Sequence, residues 1–131
     1  MLLSGCSLHP ESGAFSYSYA EVFTAAKAAV AKHPDVEVDN ATGVITTGWA
    51  PARLSQKVQG FFQEESYVER VRYEIRIPMG SDPVSVDVIA RLERRPPSGP
   101  RSIRWQRVPS EGKYEKYLLG RISDVLEGGK K

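Results

Sequence analysis

Val71-Arg72-Tyr73-Glu74-Ile75-Arg76-Ile77, followed after a short turn by Val84-Ser85-Val86-Asp87-Val88-Ile89-Ala90-Arg91-Leu92, decides the fold class. In the first segment Val71, Tyr73, Ile75 and Ile77 fall on one side of an extended chain, and Arg70, Arg72, Glu74 and Arg76 on the other. The second repeats the pattern, with Val84, Val86, Val88, Ala90 and Leu92 opposite Ser85, Asp87, Arg91 and Glu93. Successive side chains of a strand point to opposite faces, so this period of two predicts strands with one buried and one polar face. Pro78 to Pro83 forms the turn between them, which makes the pair antiparallel. A sheet with one polar face must be covered on the other.

The covering elements stand at the two ends of the chain. Ser18-Tyr19-Ala20-Glu21 has the Ser-x-x-Glu spacing of a capping box, and Val22, Phe23, Ala26, Ala29 and Val30 follow at helical intervals. A helix of about four turns is predicted from Tyr19, with Pro34 preventing continuation. A closing helix is predicted from near Gly112, with Tyr114, Tyr117, Leu118, Arg121, Ile122 and Val125 at 3.6-residue spacing and Gly128 as its stop. Between the first helix and the long strands, Asp35 to Asp39 alternates, Asn40-Ala41-Thr42-Gly43 carries turn chemistry, and Val44 to Trp49 is β-branched up to Gly48. These read as a hairpin. Pro51 to Gln59 reads as a loop or short helical turn, with Gly60-Phe61-Phe62 leading toward the next strand. After Pro96-Pro97-Ser98-Gly99-Pro100, Ile103 and Trp105 alternate with Arg104 and Gln106 as a last strand. The expected fold is α+β: a single antiparallel sheet of about five strands, with an N-terminal and a C-terminal helix packed on one face in a helix-grip arrangement.

At 131 residues the chain is one domain's worth of sequence. Hydrophobic residues at 40% and charged residues at 26% are compatible with a packed core rather than disorder. Eighteen Lys and Arg against 16 Asp and Glu leave a net charge of only +2, so no dedicated polyanion binder is indicated. One cysteine and two histidines exclude a disulfide framework and a Cys/His zinc site within the chain.

That cysteine sits in Leu3-Ser4-Gly5-Cys6, which has the form of a bacterial lipobox, where the thiol accepts a diacylglyceryl group. Residues 1–6 are read as the end of a lipoprotein signal peptide and Cys6 as its lipidation site. Residues 7–18, with Pro10, Gly13 and four serines, are read as a tether between anchor and domain. The folded domain is assigned to 19–127 and a frayed tail to 128–131.

The chain resembles the BamC family, lipoproteins of the bacterial outer-membrane β-barrel assembly machine. The likeness is carried by Val36-Glu37-Val38-Asp39 after the first helix, by Gly43-Val44-Ile45-Thr46-Thr47-Gly48-Trp49, by the arginine-rich strand from Tyr67 to Ile77, and by the order of elements. The resemblance implies a helix-grip domain and the periplasmic side of the outer membrane, reached through a lipid anchor. Members of the family carry two such domains; this sequence holds one.

No nucleophile elbow, phosphate-binding loop, dinucleotide glycine fingerprint or His-Glu-x-x-His sequence occurs, so a non-enzymatic role without cofactor or metal is expected. Asp35, Glu37 and Asp39 imitate the opening of a calcium loop. Asn40 stands where that loop needs glycine and Thr46 where it needs a bidentate Glu, so the three read as strand-edge charge. Asn40-Ala41-Thr42 reads as a turn rather than a glycosylation site. His33 beside Pro34 is expected at the surface, where a cation suits the last helical carbonyls. Tyr67, Tyr73, Tyr114, Tyr117, Trp49 and Trp105 are expected mainly in the core. The alternative function, a small-molecule or lipid binder, would place Tyr117, Trp49 and Trp105 around a pocket between sheet and closing helix. The leading expectation is a protein-docking module of the cell envelope, without nucleic-acid contact. Its partner-binding residues are Arg70, Arg72, Arg76, Arg91 and Arg104 on the polar strand faces, or Lys116 and Arg121 on the closing helix, where Lys113, Glu115 and Asp124 extend the charged surface.

Overall fold

In the computed structural model, which describes residues 10–52, 68–96 and 104–128, β1 (Glu11–Phe15) precedes helix α1 (Tyr19–Ala29). Then come β2 (Glu37–Asp39), β3 (Val44–Thr46), β4 (Ala50–Pro51), the long strands β5 (Val68–Arg76) and β6 (Val84–Arg95), β7 (Gln106–Val108) and helix α2 (Lys113–Gly128). The fold is α+β, with one antiparallel sheet of seven strands ordered β1-β6-β5-β3-β2, β4 also pairing with β5 and β7 with β6. The expected five strands become seven because the two long ones each carry two short partners in line along an outer edge: β3 and β4 beside β5, β1 and β7 beside β6.

The capping box at the start of α1 is formed as read. The Glu21 amide donates to Ser18 Oγ at 3.1 Å and the Ser18 amide to Glu21 Oε1 at 3.0 Å, so two orphan donors are satisfied. The helix runs 11 residues rather than four turns and closes at Val30, whose side chain is buried. Val22, Phe23, Ala25 and Ala26 from α1 and Tyr114, Leu118, Ile122 and Leu126 from α2 join Val71, Tyr73, Ile75, Val86, Val88, Ala90 and Leu92 in one core. Both helices therefore cover the apolar face of the sheet.

Two departures have physical causes. Residues 11–15, read as tether, form β1, pairing Glu11 with Val88 through Phe15 with Val84. Apart from Phe15 its side chains are small or polar and show no hydrophobic period, yet its backbone satisfies the edge of β6, Phe15 packs on the core and Ser12 Oγ donates to Asp87 Oδ1 at 2.6 Å. Gln106–Val108 replaces the strand expected around 103–105, and its parity is opposite. Val108 lies across from Leu92 on the core side, which sends Arg107 and Trp105 outward.

The middle of the sheet is interrupted on both sides at one level. Tyr73 and Ala90 are cross-strand partners. Beside Tyr73 the β3 ladder ends at Thr46 opposite Glu74 and resumes at Ala50 opposite Val71, four steps along one strand against three along the other. That extra residue is a β-bulge. Within it the Thr47 amide donates to the Tyr73 carbonyl, and Thr47 Oγ1 accepts the Tyr73 amide at 3.0 Å. Beside Ala90, β1 has ended and β7 has not begun. Here Glu115 Oε2, on α2, accepts the Ala90 amide at 3.1 Å. Ser110 Oγ donates to the same carboxylate at 2.8 Å, and Glu115 is 0% exposed. Glu115 was expected on the charged surface of α2; it lies in the core because it stands in for a missing strand. Tyr117 and Val125, expected on the inner stripe, are exposed.

Two glycines are fixed by space. Gly43 has φ +73°, and a Cβ there would lie 2.3 Å from the Ile77 carbonyl oxygen and 2.7 Å from the Tyr19 hydroxyl, which donates to that carbonyl. At Gly48, in the bulge, a Cβ would come within 2.8 Å of Asp35 Oδ2, and the Gly48 amide donates to the Pro34 carbonyl at 2.8 Å. The bulge is thereby tied to the chain leaving α1.

Glu115→Ala leaves the Ala90 amide and Ser110 hydroxyl buried without their acceptor and is expected to cost about 3 kcal/mol in urea denaturation. Glu115→Gln keeps one acceptor oxygen and is expected to cost less than half as much.

Candidate functional site

The extra residue at the Thr47–Trp49 bulge reverses the side to which the next side chains point. Ala50 pairs with buried Val71 and so faces the core, which leaves Trp49 on the opposite, outer face. Trp105 reaches that face by the parity of β7. The Arg70 guanidinium carbon lies 4.2 Å from the Trp49 ring centroid and 3.9 Å from that of Trp105. Arg72 lies 4.9 Å from Trp49 and Arg95 4.9 Å from Trp105. Arg70 and Arg72 are two residues apart on one face of β5 and both lie against Trp49, so the contacts link five side chains in the order Arg72, Trp49, Arg70, Trp105, Arg95. Arg70 is also fixed in its plane by Glu93, whose Oε1 accepts from Nη2 at 2.6 Å and Nε at 3.1 Å. Each stacked contact is worth about 0.5–1 kcal/mol at a partly exposed site.

The remaining expected partner-binding residues are split between two sides of the molecule. Arg76 is exposed on the outer face and paired with Glu74, whose other oxygen is 3.9 Å from Arg91. Arg91 faces Arg72 directly across the β5–β6 ladder. Arg104 is exposed just ahead of β7. Lys116 and Arg121 are exposed on α2, on the helical side of the sheet. The two surfaces weighed for docking thus lie on opposite sides. Cys6 and Tyr67 lie outside the described residues.

Trp49 and Trp105 are half-buried under arginines instead of in the core, and Tyr117 is 49% exposed on α2. They do not surround a common pocket between sheet and closing helix. Arg95 was absent from the sequence-derived site; the missed signal is the parity set by Val108, which brings Trp105 beside it. Glu37 and Asp39 share the outer face, at the β2 edge, by their register with Thr46 and Val44. Asp39 Oδ1 accepts the amides of Ala41 and Thr42, so this carboxylate closes the hairpin turn containing Asn40. A hollow of about 370 Å³ lies at the bulge, between Asp35 and Glu37 on one side and Arg72, Glu74 and Arg91 on the other.

His33 is not a solvated helix-end cation. Its ring packs edge-on against Tyr73, centroids 5.2 Å apart, and Nδ1 is buried without a hydrogen-bond partner. Burial holds its pKa below the ordinary 6.5. Burial likewise pushes the Tyr73 phenol upward, with Tyr114, Tyr117 and Glu115 adding to the effect.

No protein-family model matches the chain, and no curated protein matches it.

Arg70→Ala removes two stacked contacts and an ion pair, and is expected to cost about 2 kcal/mol in urea denaturation and to shift tryptophan emission to the red. Arg70→Lys should restore less than half of that, since an ammonium lacks a planar face to lie between two indoles. For His33 the native state holds the neutral form. Between pH 6.5 and its lowered native pKa the unfolded chain binds more protons, so stability is full above pH 6.5 and falls as the pH drops through that window. Chemical denaturation across this range should show the loss in the native sequence and its absence in His33→Phe.

Proposed function

We propose that the chain is a non-enzymatic docking module of the bacterial envelope, a lipoprotein held through Cys6 on the periplasmic side of the outer membrane. Its α+β domain is of the helix-grip type, and its role is accessory to β-barrel protein assembly. The observation that carries docking is the Trp49–Arg70–Trp105 stack on the solvent side of the sheet. Tryptophan and arginine are the residues most enriched where protein interfaces concentrate their binding energy, and here three arginines on β5 and β6 are ordered by two tryptophans that flank β4 and β7. The outer face is favoured over α2 because, among the described residues, guanidiniums lie over indole rings there, whereas Lys116 and Arg121 have Tyr117 as the only exposed aromatic near them in sequence. The lipobox at Leu3 to Cys6 and the motif from Gly43 to Trp49 support the envelope location.

Expression from the full upstream reading frame in the native host, with a photo-crosslinking residue at Arg76 or at Lys116, tests both parts. The expected result is a mature mass that carries acyl chains on an N-terminal Cys6, with an envelope protein crosslinked from position 76 and none from 116. An unmodified thiol contradicts the anchor. Crosslinks from position 116 alone contradict the outer-face assignment.

A further inference from the structure

The outer face of the sheet is electrically polarised. Over β5, β6 and β7 it presents Arg70, Arg72, Arg76, Arg91, Arg95 and Arg107 against three carboxylates, Glu74, Asp87 and Glu93. At the β2 edge it presents Glu37 and Asp39, with Asp35 close by at the bulge. Charge is therefore separated across the face rather than evenly mixed.

The acids within the arginine block are already engaged. Asp87 accepts from Ser12, Glu93 holds Arg70, and Glu74 is shared between Arg76 and the more distant Arg91. Arg72 has no carboxylate partner among the described residues, and its cross-strand neighbour is Arg91. Like charges directly opposite in an antiparallel ladder are unfavourable, so this pair leaves a positive row that an incoming anion would relieve.

The stacking decides the kind of anion. Nucleobases and sugar rings are bound through the open faces of aromatic side chains. Both indoles already carry guanidiniums over their rings, Arg70 and Arg72 at Trp49 and Arg70 and Arg95 at Trp105. What remains to a ligand is the N–H donors of Arg72 and Arg91 and those of Arg70 that Glu93 does not take, and planar guanidinium donors suit carboxylates. An anionic membrane, for its part, would meet the acidic β2 corner of the same face.

We propose that the Arg72–Arg91 row and the adjoining Trp–Arg stack dock an acidic stretch of a partner protein, its carboxylates accepting hydrogen bonds from the guanidinium edges. This rests on the docking reading above and names the chemistry of its partner. The β2 corner then fixes direction, since an acidic segment is repelled from Glu37 and Asp39 and attracted along β5 to β7.

The test titrates the full chain with a hexaglutamate peptide, at low and at physiological salt, while NMR follows the indole N–H signals of Trp49 and Trp105 and the arginine Nε–H signals. The expected result is saturable shifts of the Arg70, Arg72 and Arg91 signals, with affinity weakened at least about tenfold in Arg72→Glu/Arg91→Glu and reduced by salt. Arg72→Gln/Arg91→Gln provides a milder arm should the double reversal not fold. Unshifted signals, or equal affinity for the variants, overturn the proposal. So does tighter binding of an oligothymidylate with strong indole ring-current shifts, which assigns the face to single-stranded nucleic acid, or binding only to phosphatidylglycerol vesicles, which assigns it to lipid. A crosslinked partner whose contact segment lacks acidic residues also overturns it while leaving the docking reading in place.

Discussion

The amide of Tyr73 and the amide of Ala90 set the terms for the rest of the molecule. They sit at one level in the centre of two long strands, and at that level the flanking strands on both sides are interrupted. A buried N–H without an acceptor costs about 1–3 kcal/mol, comparable to a substantial part of a small domain's stability. The chain meets this with side-chain oxygens, Thr47 Oγ1 on one side and the Glu115 carboxylate on the other. Each solution has a structural consequence. Thr47 does its part from within a bulge, and the bulge carries Trp49 to the outer face. Glu115 does its part from α2, so the closing helix is bound to the sheet by polar contacts at one point as well as by its apolar stripe.

The outer face follows from the first consequence. With Trp49 turned outward, Arg70 has an indole on one side, and Trp105 supplies the other through the parity of β7. An arginine on a strand would ordinarily sample several rotamers in water. Held between two rings and fixed by Glu93, Arg70 is pre-organised, and the entropy that binding would have to remove is already lost on folding. The docking proposal is in this sense an outcome of the backbone problem at Tyr73. The glycine at position 48 belongs to the same chain of causes, because any side chain there would collide with Asp35 and displace the bulge.

Most of the architecture was legible because it depends on period. The alternation from Val71 to Leu92, the capping box at Ser18 and the spacing of Leu118 and Ile122 each gave their element and its buried face. What escaped depends on single residues that change a parity or defy their type. Nothing local distinguishes Thr47-Gly48-Trp49 as the site of an inserted residue, so the regular alternation placed Trp49 in the core. Alternation counted from Ile103 puts Trp105 on the core side, whereas the core contact is Val108 and Trp105 faces out. Glu115 lies at the correct interval from Leu118, Ile122 and Leu126 for the buried stripe, and only its charge argued it outward. β1 is written mostly in small and polar residues, Glu11 to Ala14, whose contribution is backbone hydrogen bonding, and its one large apolar side chain, Phe15, sets no period by itself. The candidate site was half visible: Arg70, Arg72, Arg76 and Arg91 do share one face, but the tryptophans that order Arg70 and Arg72 were not placed beside them.

Native-state hydrogen exchange at the amides of Tyr73 and Ala90 tests most directly whether side chains complete the sheet. If Thr47 and Glu115 serve as strand surrogates, both amides should exchange only through global unfolding, with the same protection as Ile75 and Val88 one pleat away on the same strands. Exchange at Tyr73 or Ala90 several orders of magnitude faster than at those neighbours, approaching that of the exposed β2 strand, would contradict the account.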